Sequence, residues 1–248
     1  MALVAIVLSA CSWISLAIGH FFRINSSLPS NKDIMWLLAN GYDAGAFIPW
    51  IVFKGIASFC FVLLAVLSVI RLKKKSERFE KLSVFILIGL SLAFVADILL
   101  EIHFVIAFVM FVIAQFFYFL AFLNYGKVNK KFFIASALMI AFFLTMDVAT
   151  PFFNFGDLFV PSVVYMISLV IVVVKSFESF KWNSIEAKLM PIGTLLFGVS
   201  DFFLQFWVFS ASWMAVSLTN AIFIFSNFMY YSGQLLVAYS LSKDYIEK

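Results

Sequence analysis

The stretch Met190–Tyr239, MPIGTLLFGVSDFFLQFWVFSASWMAVSLTNAIFIFSNFMYYSGQLLVAY, is apolar almost throughout, yet Asp201 stands in the middle of its first half. Its returning half carries Asn220, Asn227, Tyr230, Tyr231 and Gln234. Two apolar runs of this length with a short break between them predict a membrane hairpin. A carboxylate inside such a helix costs a few kcal/mol or more unless it has a partner or a task. An upstream stretch, Gly89–Phe122 (GLSLAFVADILLEIHFVIAFVMFVIAQFFYFLAF), repeats the arrangement. Gly89 precedes Asp97 by eight residues, as Gly193 precedes Asp201, and a polar side chain follows each Asp four residues on, Glu101 and Gln205.

Composition extends this pattern to the whole chain. Of 248 residues, 65% are hydrophobic and 12% charged, and the mean hydropathy is +1.08. A soluble domain of that size would lack the polar surface to cover its core. The apolar runs predict an all-α membrane protein with eight transmembrane helices at about 2–22, 47–70, 82–100, 103–123, 132–149, 160–174, 189–209 and 214–241, in one integral-membrane domain. The short alternating segments of a β-barrel are absent from the sequence. Cys11 and Cys60 both fall in apolar runs and are expected as small buried hydrophobes. Leu8-Ser9-Ala10-Cys11 resembles a lipoprotein cleavage box, but no basic segment precedes it, so the first span is expected to remain.

The net charge of +4 is distributed in a telling way. Arg71, Lys73, Lys74, Lys75, Arg78 and Lys81 share one connection; Lys127, Lys130 and Lys131 a second; Lys175, Lys181 and Lys188 a third; Lys243 and Lys248 close the chain. The intervening connections carry almost none, and Asp147–Asp157 carries no basic residue at all. This alternation is the positive-inside pattern, which places both termini in the cytosol and excludes nucleic acid as a partner. The two Asp-bearing helices then run in the same direction, a weak parallel internal repeat of hairpins. Short loops point to a multi-pass protein of a bacterial inner membrane, in contact with membrane lipids and with no obligate protein partner evident.

At helical rise, Asp201 lies about 12 Å, Asp97 about 5 Å and Lys54 about 10 Å below the outer ends of their spans. Three ionisable groups at comparable depth predict one shared polar cavity. Within it, Asp97 and Asp201 are expected to act as a carboxylate pair, one protonated as a general acid and one ionised beside it. Lys54 is expected either to meet a phosphate or carboxylate in the cavity or to snorkel outward. Gln115, Tyr118, Asn220, Asn227, Tyr230, Tyr231 and Gln234 are candidate pocket residues, with interhelical hydrogen bonding as the plainer alternative. Glu101, His103 and His20 are expected at the interface. Neither HExxH nor a set of three histidines exists for zinc, and Gly198-Val199-Ser200-Asp201 is not a nucleophile elbow. Neither a Walker A loop nor a Rossmann fingerprint is present, so no cofactor and no metal is expected.

At these residues the sequence resembles the YhhN family of membrane lysoplasmalogenases. The matching pieces are Gly89–Asp97 with Leu100, Gln115-Phe116-Phe117-Tyr118, the run from Gly193 to Asp201, and Tyr230-Tyr231-Ser232-Gly233-Gln234-Leu235-Leu236. Two departures stand out: Ala96 where the family tends to have Gly, and Lys54-Gly55 where it tends to have Lys-Pro. The resemblance implies hydrolysis of the vinyl ether bond of a lysophospholipid, a lysoplasmalogen, to a fatty aldehyde and glycerophosphoethanolamine or glycerophosphocholine. Such a bond is cleaved by protonation at carbon and capture of an oxocarbenium ion by water, which an acid beside a carboxylate suits. A proton-coupled transporter with the Asp pair as relay, and a lipid-binding scaffold, remain as the other classes.

Overall fold

In hydrocarbon the backbone must satisfy its own hydrogen bonds, so apolar runs of this length become helices. The computed structural model describes residues 1–25, 33–72, 75–149, 153–179, 184–209 and 216–244. Its α-helices are α1 (Ala2–Asn25), α2 (Ile34–Ala39), α3 (Ile48–Arg71), α4 (Glu77–Ile102), α5 (Phe104–Tyr125), α6 (Lys130–Ala149), α7 (Phe159–Ser179), α8 (Ile185–Phe209) and α9 (Val216–Ser240). Eight of these, all but α2, are long and apolar enough to cross a membrane. The expected start of the last span at residue 214, and Lys73, Lys74, Lys181 and Lys248, lie outside the described residues.

The limits differ from expectation where charges are absorbed rather than expelled. α4 begins at Glu77 because Ser76 caps it, its Oγ accepting from the Phe79 amide at 3.3 Å, with Glu77 and Glu80 in the first turn. α7 runs past the expected stop at Lys175. That lysine is fully buried, its Nζ 2.5 Å from Glu178 Oε2 and donating to the Lys127 carbonyl at 3.1 Å. Before α3, Asp33 caps α2 by accepting from the Trp36 amide at 2.8 Å. Trp36 and Leu38 face outward while Leu37 is buried, as an interfacial helix requires. Cys60 is buried as expected, but Cys11 is exposed, because α1 lies at the margin of the bundle with most of its surface outward.

Two ends of the bundle are distinguished by their contacts. At one, Lys54 meets Glu101, Asp33 accepts from the Phe104 amide and Asn154 N–H donates to the Phe209 carbonyl. At the other, Lys243 meets Glu186, Asp244 accepts from the Ser76 amide and Ser179 donates to the Phe122 carbonyl. The second end carries Arg71, Arg78, Lys81, Lys127, Lys130, Lys131 and Lys188, and is the basic end. Packing is most extensive between α8 and α9 and between α4 and α5; α3 touches α1, α4 and α9, whereas α6 packs chiefly on α7.

The glycines of the repeated pattern sit where the hairpins close most tightly. A Cβ on Gly193 would lie 2.6 Å from the Gly233 carbonyl oxygen, and one on Gly89 2.5 Å from the Tyr118 ring. Small residues at such crossings let helix backbones approach. Gly55 has no such neighbour, its nearest being Ile98 at 3.8 Å. Gly193→Ala is therefore expected to destabilise by about 1–3 kcal/mol, read as a lower Tm in detergent, while Gly55→Ala leaves the Tm unchanged or raises it.

Candidate active site

α4 turns Ala93, Ala96, Asp97, Leu100 and Glu101 inward on one face. Asp97 is 2% exposed. Ser58 of α3 lies 2.6 Å from its Oδ2, and Tyr231 of α9 places its hydroxyl 3.0 Å from Ser58 Oγ and 3.5 Å from the same carboxylate oxygen. A serine hydroxyl has one hydrogen. When Ser58 donates to Asp97, Tyr231 donates to Ser58, giving a Tyr231–Ser58–Asp97 chain through three helices.

One turn along α4, Glu101 Oε1 pairs with Lys54 Nζ at 2.7 Å, and both side chains are buried. The interfacial place expected for Glu101 is not observed, and Lys54 does not snorkel outward but borders the cavity and meets a carboxylate there, that of Glu101. Where α3 packs on α4 the two charges neutralise each other, and the Trp50 ring lies 5.7 Å from Nζ. His20 is likewise not interfacial. Its ring is buried between Trp50 and Phe223, with centroids 4.9 and 5.1 Å away. His103 is half-buried between α4 and α5.

Asp201 of α8 accepts a short hydrogen bond from the Tyr165 hydroxyl of α7, and Ser200 Oγ stands 3.4 Å from its Oδ1. Asp201, Asp97 and Lys54 border one cavity of about 40 Å³. Asn227, Tyr230, Ser226, Phe111 and Phe223 complete much of its wall. That is room for about three or four waters at roughly 10–15 Å³ each. Among the described residues no hydrogen bond joins the two carboxylates. Each has its own donors, and the cavity lies between them. Lys54, Asp97 and Asp201 thus face one shared space, with the two carboxylates on separate donors.

The remaining candidates divide. Asn227 borders the cavity while its Nδ2 donates to the Phe223 carbonyl at 2.8 Å. Tyr230 borders it too, with its hydroxyl closing no hydrogen bond of normal geometry. Tyr231 reaches the site through Ser58. Tyr118 donates to Gln234 Oε1 at 3.1 Å, binding α5 to α9 outside the cavity wall. Gln115 accepts a short bond from Ser168 and faces a groove of about 530 Å³ between α5, α6 and α7. Asn220, near the start of α9, is half-buried and borders neither. For Tyr118, Gln234 and Gln115 the interhelical role is what the geometry supports. Sequence reasoning missed Ser58 and Tyr165. Ser58 follows Lys54 by four residues and so shares its helix face, a usable signal; Tyr165 is a single tyrosine in an apolar run and offers none.

A second, larger space adjoins the first. A chamber of about 270 Å³ opens between α6, α7 and α8, walled by Met139, Phe142, Phe143, Leu169, Val173 and Leu195 among others. Asp201, Tyr165, Leu100, Phe108 and Leu204 border both spaces. Nearer the Lys54 end, the Gln205 amide donates a short hydrogen bond to Asp147 of α6 across this chamber.

Fold and site together define a polytopic helical membrane protein with a carboxylate-bearing polar cavity set against an apolar chamber. A sequence model of the YhhN family matches residues 50–241, from the first turn of α3 to the end of α9. The chain belongs to the YhhN family. Comparison with curated proteins and with solved structures finds no match.

Removing one member of a buried ion pair leaves the other charge uncompensated, whereas replacing both by apolar groups is close to neutral. Lys54→Met or Glu101→Leu alone is expected to destabilise by about 3–5 kcal/mol, and the double variant to recover most of that loss. Equilibrium unfolding in detergent checks it; additive single effects would show that the pair is not a unit.

Proposed function

We propose that the protein hydrolyses the vinyl ether bond of a lysoplasmalogen within the membrane. The observation that carries this reading is the junction at Asp201 and Tyr165, where a cavity bordered by two carboxylates shares its wall with an apolar chamber. A single-chain amphiphile matches that division, its chain in the chamber and its ether linkage at the junction. Family membership supports the same class of substrate.

The two carboxylates sit in unlike settings, which assigns their roles. Asp97 lies beside Lys54 and accepts from Ser58, with Tyr231 behind. It is the standing negative charge. Asp201 accepts from Tyr165 and borders the chamber, away from the lysine's partner network. It is the acid. Asp201 transfers its proton to the β-carbon of the vinyl ether, the double bond's electron pair forming the new C–H bond and leaving an oxocarbenium ion. Asp97 stabilises that cation across the cavity. A water from the cavity adds to the cationic carbon and returns a proton to Asp201. The hemiacetal then passes its hydroxyl proton to the glycerol oxygen as the C–O bond breaks, releasing aldehyde and the glycerophospho-alcohol. Water and substrate are consumed one to one. The positive-inside pattern further supports a cytosolic basic end, with the site in the opposite half of a cell membrane.

Purified protein in detergent, given a lysoplasmalogen and scored for free aldehyde, tests the activity. Asp201→Asn and Asp97→Asn are each expected to lower kcat by about 10²–10⁴-fold, the range of a positioned acid or counter-charge, with Tm and elution unchanged. Tyr165→Phe is expected to fall between these and the parent. Aldehyde release that survives both Asn substitutions would sink the carboxylate mechanism; proton uptake coupled to solute movement with no aldehyde would favour a carrier.

A further inference from the structure

The chamber's end near Lys54 holds features that the hydrolytic scheme leaves unused. Asp147 is 8% exposed and borders the chamber, accepting from the Gln205 amide. Among the described residues no cation lies within ion-pair distance of it. The flanking segments 148–160 and 206–220 contain no Lys, Arg or His. The rings of Phe104, Phe155 and Phe209 line the same chamber, Phe155 packs on Phe209 with centroids 4.6 Å apart, and Phe209 follows Gln205, the partner of Asp147, by one helical turn. Ser162 also lines the chamber, nine-tenths buried, with its hydroxyl lacking any protein partner. A carboxylate without a cation, set among aromatic faces in a low-dielectric space, is the arrangement that binds ammonium groups.

We propose that Asp147, Gln205 and the Phe155–Phe209 pair form a subsite for the primary or quaternary ammonium of a zwitterionic headgroup. Gln205 stands one helical turn from Asp201, about 6 Å along α8. An amphiphile whose reactive linkage lies at Asp201 therefore brings its headgroup to this end of the chamber while its chain runs toward Leu195 and Val173. The Gln205 amide fixes one carboxylate oxygen of Asp147 and leaves the other for the ammonium; the rings take up the methyl or methylene groups around the nitrogen. The subsite deepens the lysoplasmalogen reading and rests on it for the identity of the chain, but the cation contact can be measured without turnover.

The test uses two ligands that cannot be hydrolysed at a vinyl ether, a 1-alkyl lysophosphocholine and the matched 1-alkyl lysophosphatidic acid, which lacks the amine. Both are titrated by calorimetry into the full-length protein in nanodiscs. The choline ligand is expected to bind at least about tenfold more tightly than its amine-free counterpart. Asp147→Asn and Phe155→Leu should each erase most of that preference, and Asp147→Glu should restore part of it. Phe155→Leu changes no charge and no polar contact, so it decides the matter should Asp147→Asn fail to fold. A parent protein with no preference, or variants that keep it, would overturn the subsite. Preference without aldehyde release would overturn the hydrolase reading alone, and aldehyde release without preference the subsite alone.

Discussion

A charge at membrane depth needs a partner, because bulk water does not reach it. Much of the organisation of this bundle follows from that requirement. Lys54 and Glu101 answer each other at 2.7 Å and so tie α3 to α4. Asp97 is answered by Ser58 and Tyr231, which adds α9. Asp201 is answered by Tyr165, which ties α8 to α7. The helices that contribute to the cavity are thus the helices the charges hold together. A buried ion pair of this kind is weak evidence for stability; its consequence here is registration, since α3 and α4 can slide past each other only by breaking it.

The bundle and both carboxylates were legible in the sequence because hydrocarbon makes the signal strong. Eight apolar runs, alternating basic connections and two Asp residues inside helices leave few alternatives. Depth was the weaker instrument. Counting residues from apparent span ends put Glu101 at the interface, yet α4 runs to Ile102 and the loop structure around α2 covers that end. The charge at Lys175 ended a predicted span for the same reason, and its burial with Glu178 could not be foreseen from periodicity. Hydroxyl groups are the least legible of all. Ser58 and Tyr165 do more to define the carboxylates than Gln115 or Gln234, but serine and tyrosine are ordinary in apolar helices, whereas amides attract notice. Tyr118 and Gln234 were rightly seen as buried polar residues. Their bond serves α5 and α9 rather than the cavity.

The difference between the two hairpins matters more than their likeness. Both have a glycine at the tight crossing, an Asp eight residues on and a polar group four residues beyond. In the α4–α5 hairpin that last group is an acid with a lysine partner; in the α8–α9 hairpin it is an amide whose partner is a third carboxylate, Asp147. One half therefore gathers a cation around its Asp, and the other gathers none. An electrostatic gradient follows across a cavity of about 40 Å³: positive support on the Asp97 side, apolar surroundings on the Asp201 side.

That asymmetry makes Tyr165 the element on which the chemistry turns. Its ring packs against Phe108 and Phe111, with centroids 5.8 Å away in both cases, and its hydroxyl donates to Asp201. The same ring forms part of the wall between polar cavity and apolar chamber. On the proposed reading a chain held in the chamber lies beside this ring, and protonation of Asp201 alters the bond that Tyr165 donates. In the proposed hydrolysis a chain that fills the chamber shields this acid from bulk water, as slow protonation of a carbon requires.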